Sequence, residues 1–302
     1  MIPRRLALVA VVLISCSSTV PSLPSLGPAL GSGDTFVAAG VPLPALQASL
    51  TSDPTDDDSY IPMISPAGGA YLRRSTNSIV LHAPTPPLGP RRVGIQIGHW
   101  KTDEVPDDLH KLATQTGAVW DDVQEVDVNM DVAQRVASLL RKAGITVDLL
   151  PTTIPPGYVA DAFLALHADS DGVGELSGFK LAHGPLRGPF EDRLVSAISD
   201  AYAKAVALRY DAEHVSVDMR YYYAFNWGRF QHTTSPHTPA AILEMGYISN
   251  DDDRTILTEQ PNVIATAIAA GLLNFLNATP RSQIFKDDIV VPLPVGPSPT
   301  PP

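Results

Sequence analysis

The chain has 302 residues, enough for one large domain or two small ones, and its formal net charge is -11. Non-specific affinity for nucleic acid comes mainly from lysine and arginine side chains that neutralise phosphates, so this acidic balance argues against nucleic acid as a partner. The patterned part of the sequence covers less than two thirds of the chain, which favours a single folded domain.

The first fifteen residues have the pattern of an export signal. Residues 1–5 carry two arginines, and residues 6–14 are an apolar segment too short to span a bilayer. The sequence Leu13-Ile14-Ser15-Cys16 then resembles the lipobox of bacterial lipoproteins, in which the cysteine becomes the lipidated first residue. Cys16 is the only cysteine, so no intrachain disulfide can form. The alternative is an ordinary secretory signal, which would give a secreted protein.

Both ends of the mature chain are expected to stay outside the folded domain. Residues 16–90 are rich in serine, proline, glycine and threonine. Such a composition buries too little apolar surface to offset the entropy of ordering, so we expect a flexible tether with a short strand at residues 78–82. Residues 279–302 form a proline-rich tail, which we expect to be extended and unpacked from residue 290 onward.

Five apolar segments between these ends have the length and composition of buried strands. They are short and bounded by turn residues. In chain order they are residues 93–97, 145–150, 162–166, 178–182 and 240–243.

Apolar residues at helical spacing alternate with the strands. The first predicted helix carries Val128, Val132 and Val136 on one face and stops at Gly144. A second helix lies between residues 190 and 208, and a third begins at Pro261 and ends before Pro280. The alternation predicts an α/β fold, a mainly parallel twisted sheet with helices on both faces in a single domain.

Four polar residues lie at the end of a predicted strand or at the start of a helix: His99, Glu125, His167 and Glu244. Because the carboxyl ends of parallel strands form the ligand crevice of such a sheet, residues distant in sequence can meet there. Two imidazoles and one carboxylate form a three-ligand zinc set, and a second carboxylate remains as a base. On chemistry alone, Glu125 and Glu244 could exchange these roles.

The segments around these four residues follow a family pattern. They read Ile97-Gly98-His99, Glu125-Val126-Asp127-Val128-Asn129, Leu166-His167-Ala168-Asp169 and Leu243-Glu244-Met245-Gly246-Tyr247-Ile248-Ser249-Asn250. In content and order, over about residues 91–278, they resemble the zinc-dependent N-acetylmuramoyl-L-alanine amidases. That family cuts the bond between the sugar and the stem peptide of peptidoglycan.

The resemblance implies a role for each of the four residues. His99, Glu125 and His167 would hold a Zn²⁺ cofactor. Glu244 would be the catalytic carboxylate, which accepts a proton from the attacking water and passes it to the leaving nitrogen. The implied substrate is peptidoglycan, and the implied location is the cell envelope. The lipobox-like sequence adds a membrane anchor through lipid at Cys16.

Two features depart from the family pattern. Trp100 follows His99 where the family has a glycine, and the segment before His167 is short. A bulky aromatic side chain beside the metal would reshape the substrate cleft. A related zinc amidohydrolase or peptidase with another substrate therefore stays as an alternative, as does a non-catalytic wall-binding lipoprotein.

Four further residues are candidates for contact with the substrate. They are Trp100, Asn129, Asp169 and His232. For Asn129 a helix-start role, or a hydrogen bond to a metal ligand, is an equally good interpretation.

Overall fold

The computed structural model describes the backbone of residues 63–64, 70–75, 78–185 and 188–292, and the side chains of residues 80–185 and 188–290. These residues belong to one compact unit of the chain. The predicted signal peptide, Cys16 and most of the predicted tether lie outside the described residues.

Strands and helices alternate along the described part of the chain. The strands are β1 (Met63–Ile64), β2 (Ala70–Ser75), β3 (Ser78–Leu81), β4 (Arg92–Ile97), β5 (Val119–Trp120), β6 (Val123–Gln124), β7 (Thr146–Leu150), β8 (Ala162–Asp169), β9 (Lys180–Ala182), β10 (Ala240–Tyr247) and β11 (Ile289–Pro292). The α-helices are α1 (Glu125–Lys142), α2 (Glu191–Ala205), α3 (Val217–Arg220), α4 (Asp251–Glu259), α5 (Pro261–Ala278) and α6 (Arg281–Ile284). All five predicted strands and all three predicted helices are present.

A five-stranded sheet forms the centre of the fold, in the order β7-β4-β8-β10-β9. The first four of these strands are parallel to one another, and β9 pairs antiparallel to β10 at one edge. This confirms the predicted mainly parallel sheet. The register places Glu244 of β10 directly beside His167 of β8, so two of the predicted site residues are neighbours.

The two faces of this sheet are covered differently. Successive residues of a strand point to opposite faces. On one face α1, α2 and α5 pack over a large core that includes Ile95, Leu164 and Leu243. On the other face, α3 and two 3₁₀ segments, Asp107–Thr114 and Tyr223–Phe225, pack over a smaller core. The predicted helices on both faces are present, and those on the second face are short.

The helix boundaries follow from the local sequence. α1 ends before Gly144, whose φ of 83° is a left-handed conformation that suits glycine. α5 begins at Pro261, which loses nothing there because the first N–H groups of a helix have no intrahelical partner. α5 is long and apolar enough to cross a membrane, but half of it is buried and packs against α1 and α2 as a core helix does.

A second, antiparallel sheet has the order β1-β2-β3-β11. β3 is the short strand expected at residues 78–82. Residues 290–292 were expected to be unpacked, and this is wrong because β11 pairs with the open edge of β3. The last part of the expected tether likewise contributes β1, β2 and β3 to this sheet.

A buried carboxylate ties the start of the folded region to its end. Asp161 has no exposed surface, and it accepts hydrogen bonds from Nε and Nη2 of Arg281 at 2.8 and 2.6 Å and from the N–H of Arg92 at 2.7 Å. Arg91 adds an ion pair at 2.7 Å. Arg281 also donates to three carbonyls of the segment 87–90. The segment before β4 is thus attached to α6.

Candidate metal centre

His99, Glu125 and His167 meet at the carboxyl edge of the central sheet. His99 lies in the turn after β4, Glu125 is the first residue of α1, and His167 lies in β8. Nε2 of His99 is 3.2 Å from Oε1 of Glu125 and 3.2 Å from Nδ1 of His167. Nδ1 of His167 is 3.1 Å from the same Oε1 atom. Three possible ligand atoms therefore form a nearly equilateral triangle.

The triangle has the dimensions of a zinc site. Ligands at 2.0–2.1 Å from a tetrahedral zinc ion stand about 3.3 Å apart, close to the observed spacing. Imidazole nitrogen and carboxylate oxygen are both common zinc ligands. Among the described residues, this is the group of histidine, cysteine and acidic side chains that is close enough to hold a metal ion. The residues therefore fit the ion that the sequence implies.

The turn that presents His99 has an unusual backbone. Its φ of 63° is left-handed, which is uncommon for a residue other than glycine and typical of functional sites. The ring is held from behind, because Nδ1 lies 2.6 Å from the carbonyl oxygen of Gln115. A carbonyl only accepts hydrogen bonds, so Nδ1 carries the proton. Nε2 of the neutral ring then keeps its lone pair toward the cluster.

Hydrogen bonds fix both carboxylate oxygens of Glu125. Oε2 accepts from the N–H of Ala118 at 2.9 Å, and Oε1 accepts from the N–H of Ala168 at 3.1 Å. Burial alone would raise the pKa of Glu125, but hydrogen bonds and charge from the two histidines outweigh burial and lower it below its usual range. The carboxylate is therefore ionised at neutral pH.

Two glycines leave room for the ligand side chains. A Cβ atom on Gly98 would lie 2.5 Å from Cε1 of His167. A Cβ atom on Gly117 would lie 3.1 Å from Cγ of His99 and 3.2 Å from Oε2 of Glu125. Gly117 also has a φ of 91°, which other residues rarely adopt. The close approach of backbone to ligands requires the missing side chain at both positions.

Glu244 lies beside the cluster in different surroundings. Its register partners are His167 on β8 and Lys180 on β9. Oε2 of Glu244 is buried and has no hydrogen-bond partner within the described part of the chain. Burial raises the pKa of Glu244 well above its usual range, the charges of Glu125 and Asp169 raise it further, and Lys180 opposes them. A raised pKa suits a carboxyl group that takes up and releases a proton.

Lys180 is a residue of this edge that the sequence analysis did not identify. Its side chain is 2% exposed, it forms an ion pair with Asp169, and Nζ donates to the hydroxyl of Tyr247 at 3.0 Å. A lysine inside a predicted buried strand was the available signal. Such a residue needs a partner of opposite charge, because an unpaired buried ammonium group is very costly.

Asn129 is a partner of a candidate ligand. The side chain has no exposed surface, and Nδ2 donates to Oε1 of Glu125 at 3.2 Å and to the carbonyl oxygen of Gly98 at 3.3 Å. A residue enclosed in this way does not reach a substrate. The expectation of a substrate contact at Asn129 is therefore replaced by its alternative, a hydrogen bond to a ligand.

The other three expected substrate contacts lie in different settings. Trp100 follows His99 directly, is half-buried and packs against the large core. Asp169 ends β8 and its side chain pairs with Lys180. His232 lies in a loop, with Nδ1 2.8 Å from the carbonyl oxygen of Ile154. Trp100 is thus the one of the three that adjoins a candidate ligand in the chain.

Comparison with known protein families gives a match. A family model described as N-acetylmuramoyl-L-alanine amidase matches residues 93–274. Comparison with curated proteins gives no match.

Several solved structures are similar to the chain. One is the N-acetylmuramoyl-L-alanine amidase AmiC2 of Nostoc punctiforme, with 20% identity, a TM-score of 0.43, and coverage of 63% of this chain and 98% of that one. Another is the catalytic domain of CwlV, an N-acetylmuramoyl-L-alanine amidase from Bacillus (Paenibacillus) polymyxa var. colistinus, with 20% identity, a TM-score of 0.42, and coverage of 63% and 99%. A third is the amidase Ami1 from Mycobacterium smegmatis, with 16% identity, a TM-score of 0.46, and coverage of 63% and 98%.

Proposed function

The chain belongs to the N-acetylmuramoyl-L-alanine amidase family, and on that basis we propose that it hydrolyses the amide bond between N-acetylmuramic acid and L-alanine in peptidoglycan, using one zinc ion. One observation carries the zinc assignment. A carboxylate oxygen and two ring nitrogens lie within 3.2 Å of one another. Two imidazole nitrogens and a carboxylate oxygen at this spacing match the ligand types and the ligand separation of a tetrahedral zinc ion.

His99, Glu125 and His167 would hold the ion in this proposal. Zinc with three protein ligands supplies a lowered pKa for a water molecule and polarisation of the scissile carbonyl. The protein contributes a fixed set of ligands, because hydrogen bonds hold the His99 ring and both oxygens of Glu125 before any ion binds. Little reorganisation is then needed on binding.

Glu244 would act as the general base and then as the general acid. It lies beside His167 on the neighbouring strand, and one of its oxygens is buried without a partner. A carboxylate in that position can take the proton of the attacking water and deliver it to the leaving nitrogen. Proton transfer by a positioned side chain contributes about two to four orders of magnitude in rate.

The test is product analysis by mass spectrometry. Protein lacking residues 1–15 is incubated with purified peptidoglycan, with Glu244→Gln as the matched control. We expect stem peptides with a free amino group on L-alanine, and glycan chains that have lost the whole peptide. Cleavage between two amino acids would replace the proposal with a peptidase, an alternative that Trp100 favours. Binding without any cleavage would favour the wall-binding module.

We also propose that the mature chain is a cell-envelope lipoprotein that begins at Cys16 and acts at the end of a tether. A single acyl chain binds membranes only marginally, so the several chains of a bacterial lipoprotein would be needed for stable attachment. In a bacterial host, full-length protein should partition into detergent and Cys16→Ser protein should not. The proposal fails if both proteins partition alike and both mature chains begin at another residue.

A further inference from the structure

The ring of His167 is held from behind by a chain of side-chain hydrogen bonds. Nε2 of His167 lies 3.3 Å from the hydroxyl of Tyr222, and that hydroxyl donates to Oε1 of Gln96 at 2.9 Å. Tyr222 lies on the face of the sheet covered by the short helices. Gln96 lies in β4, has no exposed surface and is the one polar residue of the segment 93–97. None of these atoms belongs to the proposed ligand set.

The orientation of the Gln96 amide follows from its other contacts. Nε2 of Gln96 donates to the carbonyl oxygen of Thr152 at 2.8 Å and to the hydroxyl of Tyr223 at 2.5 Å. The carbonyl oxygen of Thr152 can only accept, so the amide nitrogen has to face it. The amide oxygen therefore faces Tyr222. Since an amide oxygen cannot donate, the hydroxyl proton of Tyr222 is committed to Gln96.

This commitment decides what Nε2 of His167 does. With its proton donated to Gln96, the oxygen of Tyr222 is an acceptor toward the histidine ring. Nε2 of His167 therefore donates to Tyr222 and carries a proton. Nδ1 is the ring nitrogen that faces the triangle, 3.1 Å from Oε1 of Glu125, so a second proton or a metal ion can lie between these two atoms.

We infer that Gln96 and Tyr222 are positioning residues that keep Nε2 of His167 protonated, so that Nδ1 is the ring nitrogen presented to a metal ion. The ligand role of Nδ1 rests on the proposed function, whereas the protonation of Nε2 rests on the Gln96–Tyr222 hydrogen bonds. The two candidate histidine ligands are thereby held through different ring nitrogens. The Gln115 carbonyl holds Nδ1 of His99, and the Gln96–Tyr222 pair holds Nε2 of His167.

The tautomer is measurable by NMR in metal-free protein. Nitrogen chemical shifts of ¹⁵N-labelled imidazole distinguish a protonated ring nitrogen from an unprotonated one. The spectra of all proteins are recorded at one pH, the His167 signals are assigned with a His167→Gln protein, and the signal of Nε2 is read separately from that of Nδ1. Wild-type protein should show His167 protonated on Nε2.

Gln96→Met gives the sharpest test. Without the amide oxygen, the hydroxyl of Tyr222 is free to donate to Nε2 of His167, so the ring proton should move to Nδ1. If Gln96 had only a structural role, the Gln96→Met substitution would lower the stability of the protein without changing which ring nitrogen of His167 is protonated. Wild-type and Gln96→Met proteins with the same His167 tautomer would overturn the inference.

Tyr222→Phe tests the same step through metal affinity. Loss of the hydroxyl should leave His167 as a mixture of tautomers and weaken zinc binding by about tenfold to a hundredfold in a chelator competition. Tyr221→Phe is the matched control, because Tyr221 is 58% exposed and lies outside the hydrogen-bond chain. Equal zinc affinity and an unchanged tautomer in the two variants would contradict the inference.

Failure of the proposed function gives a different result. If wild-type protein binds no zinc but shows the Nε2-protonated tautomer, and Gln96→Met reverses it, the positioning role stands and the metal assignment falls. If one of the two variants does not fold, as judged by circular dichroism, the other still decides the outcome.

Discussion

Glu125 and Glu244 lie in one site with opposite surroundings. At Glu125, backbone N–H groups of Ala118 and Ala168 and the amide of Asn129 hold both carboxylate oxygens. At Glu244, one oxygen is buried without a partner in the described structure, and burial raises the pKa. The surroundings of Glu125 suit a ligand that keeps one position and one charge. Those of Glu244 suit a group that exchanges a proton.

The difference between the two carboxylates supports the proposed assignment of their roles, which chemistry alone left open. An unpartnered buried carboxyl oxygen costs about 1–3 kcal/mol, so its persistence needs a reason outside stability. Glu125 has no such cost, because its hydrogen bonds hold it as an ionised carboxylate beside the two histidines. We therefore expect metal binding to depend on Glu125 and catalysis to depend on Glu244.

The largest effect should come from removing the metal or one of its histidines. His167→Ala and His99→Ala should each lose stoichiometric zinc and reduce peptidoglycan hydrolysis to background, because two ligands do not hold the ion in place. Treatment of wild-type protein with a chelator should do the same, and added zinc should restore activity. His110→Ala is the control, since His110 is exposed and should leave zinc content unchanged.

Near-normal zinc in both His99→Ala and His167→Ala proteins would remove the triangle from consideration as the metal site. Metal analysis of the purified variants by mass spectrometry gives this answer directly.

The next effect separates the two carboxylates. Glu244→Gln should retain one zinc but lose at least about a hundredfold in hydrolysis, the lower end expected for loss of a general base. Glu125→Gln should instead lose zinc, because a neutral amide is a poor ligand. The roles are reversed if Glu244→Gln loses metal while Glu125→Gln keeps it, and full activity in Glu244→Gln would favour a binding module.

A smaller effect is expected at Gly117, which lies between two ligands. A methyl group in Gly117→Ala would push against the ring of His99 and against Glu125, and zinc affinity should fall by about tenfold. Gly144→Ala is the matched control, since Gly144 has a similar φ of 83° but no atom within 4 Å of the position that a Cβ would occupy. Both variants should lose about 1–2 kcal/mol of stability to the left-handed backbone. Equal zinc affinity in the two would show that the close contact at Gly117 is tolerated.

Replacement of Lys180 should have the smallest effect, a shift in the pH dependence of hydrolysis. The ammonium group of Lys180 lowers the pKa of Glu244 against burial and the charges of Glu125 and Asp169. Without Lys180 the pKa of Glu244 should rise further. Since Glu244 must be deprotonated to act as a base, activity should then require a higher pH. In Lys180→Met, the acidic limb of the activity profile should therefore move to higher pH at unchanged zinc content. The exposed Lys111→Met control should leave the profile in place, and the same profile in both variants would contradict the coupling.

Most of the central sheet could be predicted from the sequence, as could the close approach of His99, Glu125, His167 and Glu244. The spacing of apolar residues predicts strands such as residues 93–97 and helices such as α1. The parallel topology then brings the carboxyl ends of the strands to one edge of the sheet. The residues that hold the candidate ligands in place could not be predicted from local sequence patterns. The hydroxyl of Tyr222 meets Gln96 across more than a hundred residues of chain, and local patterning carries no record of such a contact.

The second sheet was missed for a related reason. β11 lies in a proline-rich sequence that by itself predicts an extended tail, and its strand character depends on pairing with β3. Pro292 at its end is compatible with an edge strand. Composition therefore describes this segment correctly in isolation and fails once a partner strand is available.

The Asp161 site decides where a recombinant fragment should be cut. A fragment that stops at residue 278, after the last long helix, would lack Arg281 and remove the two-pronged partner of a fully buried carboxylate. Arg91 and the N–H of Arg92 would remain as partners of Asp161, but loss of the two hydrogen bonds from Arg281 should still destabilise the fragment. A fragment of residues 78–292 keeps that pair and the β3–β11 pairing. Crystallisation and enzyme production should therefore begin from the longer fragment.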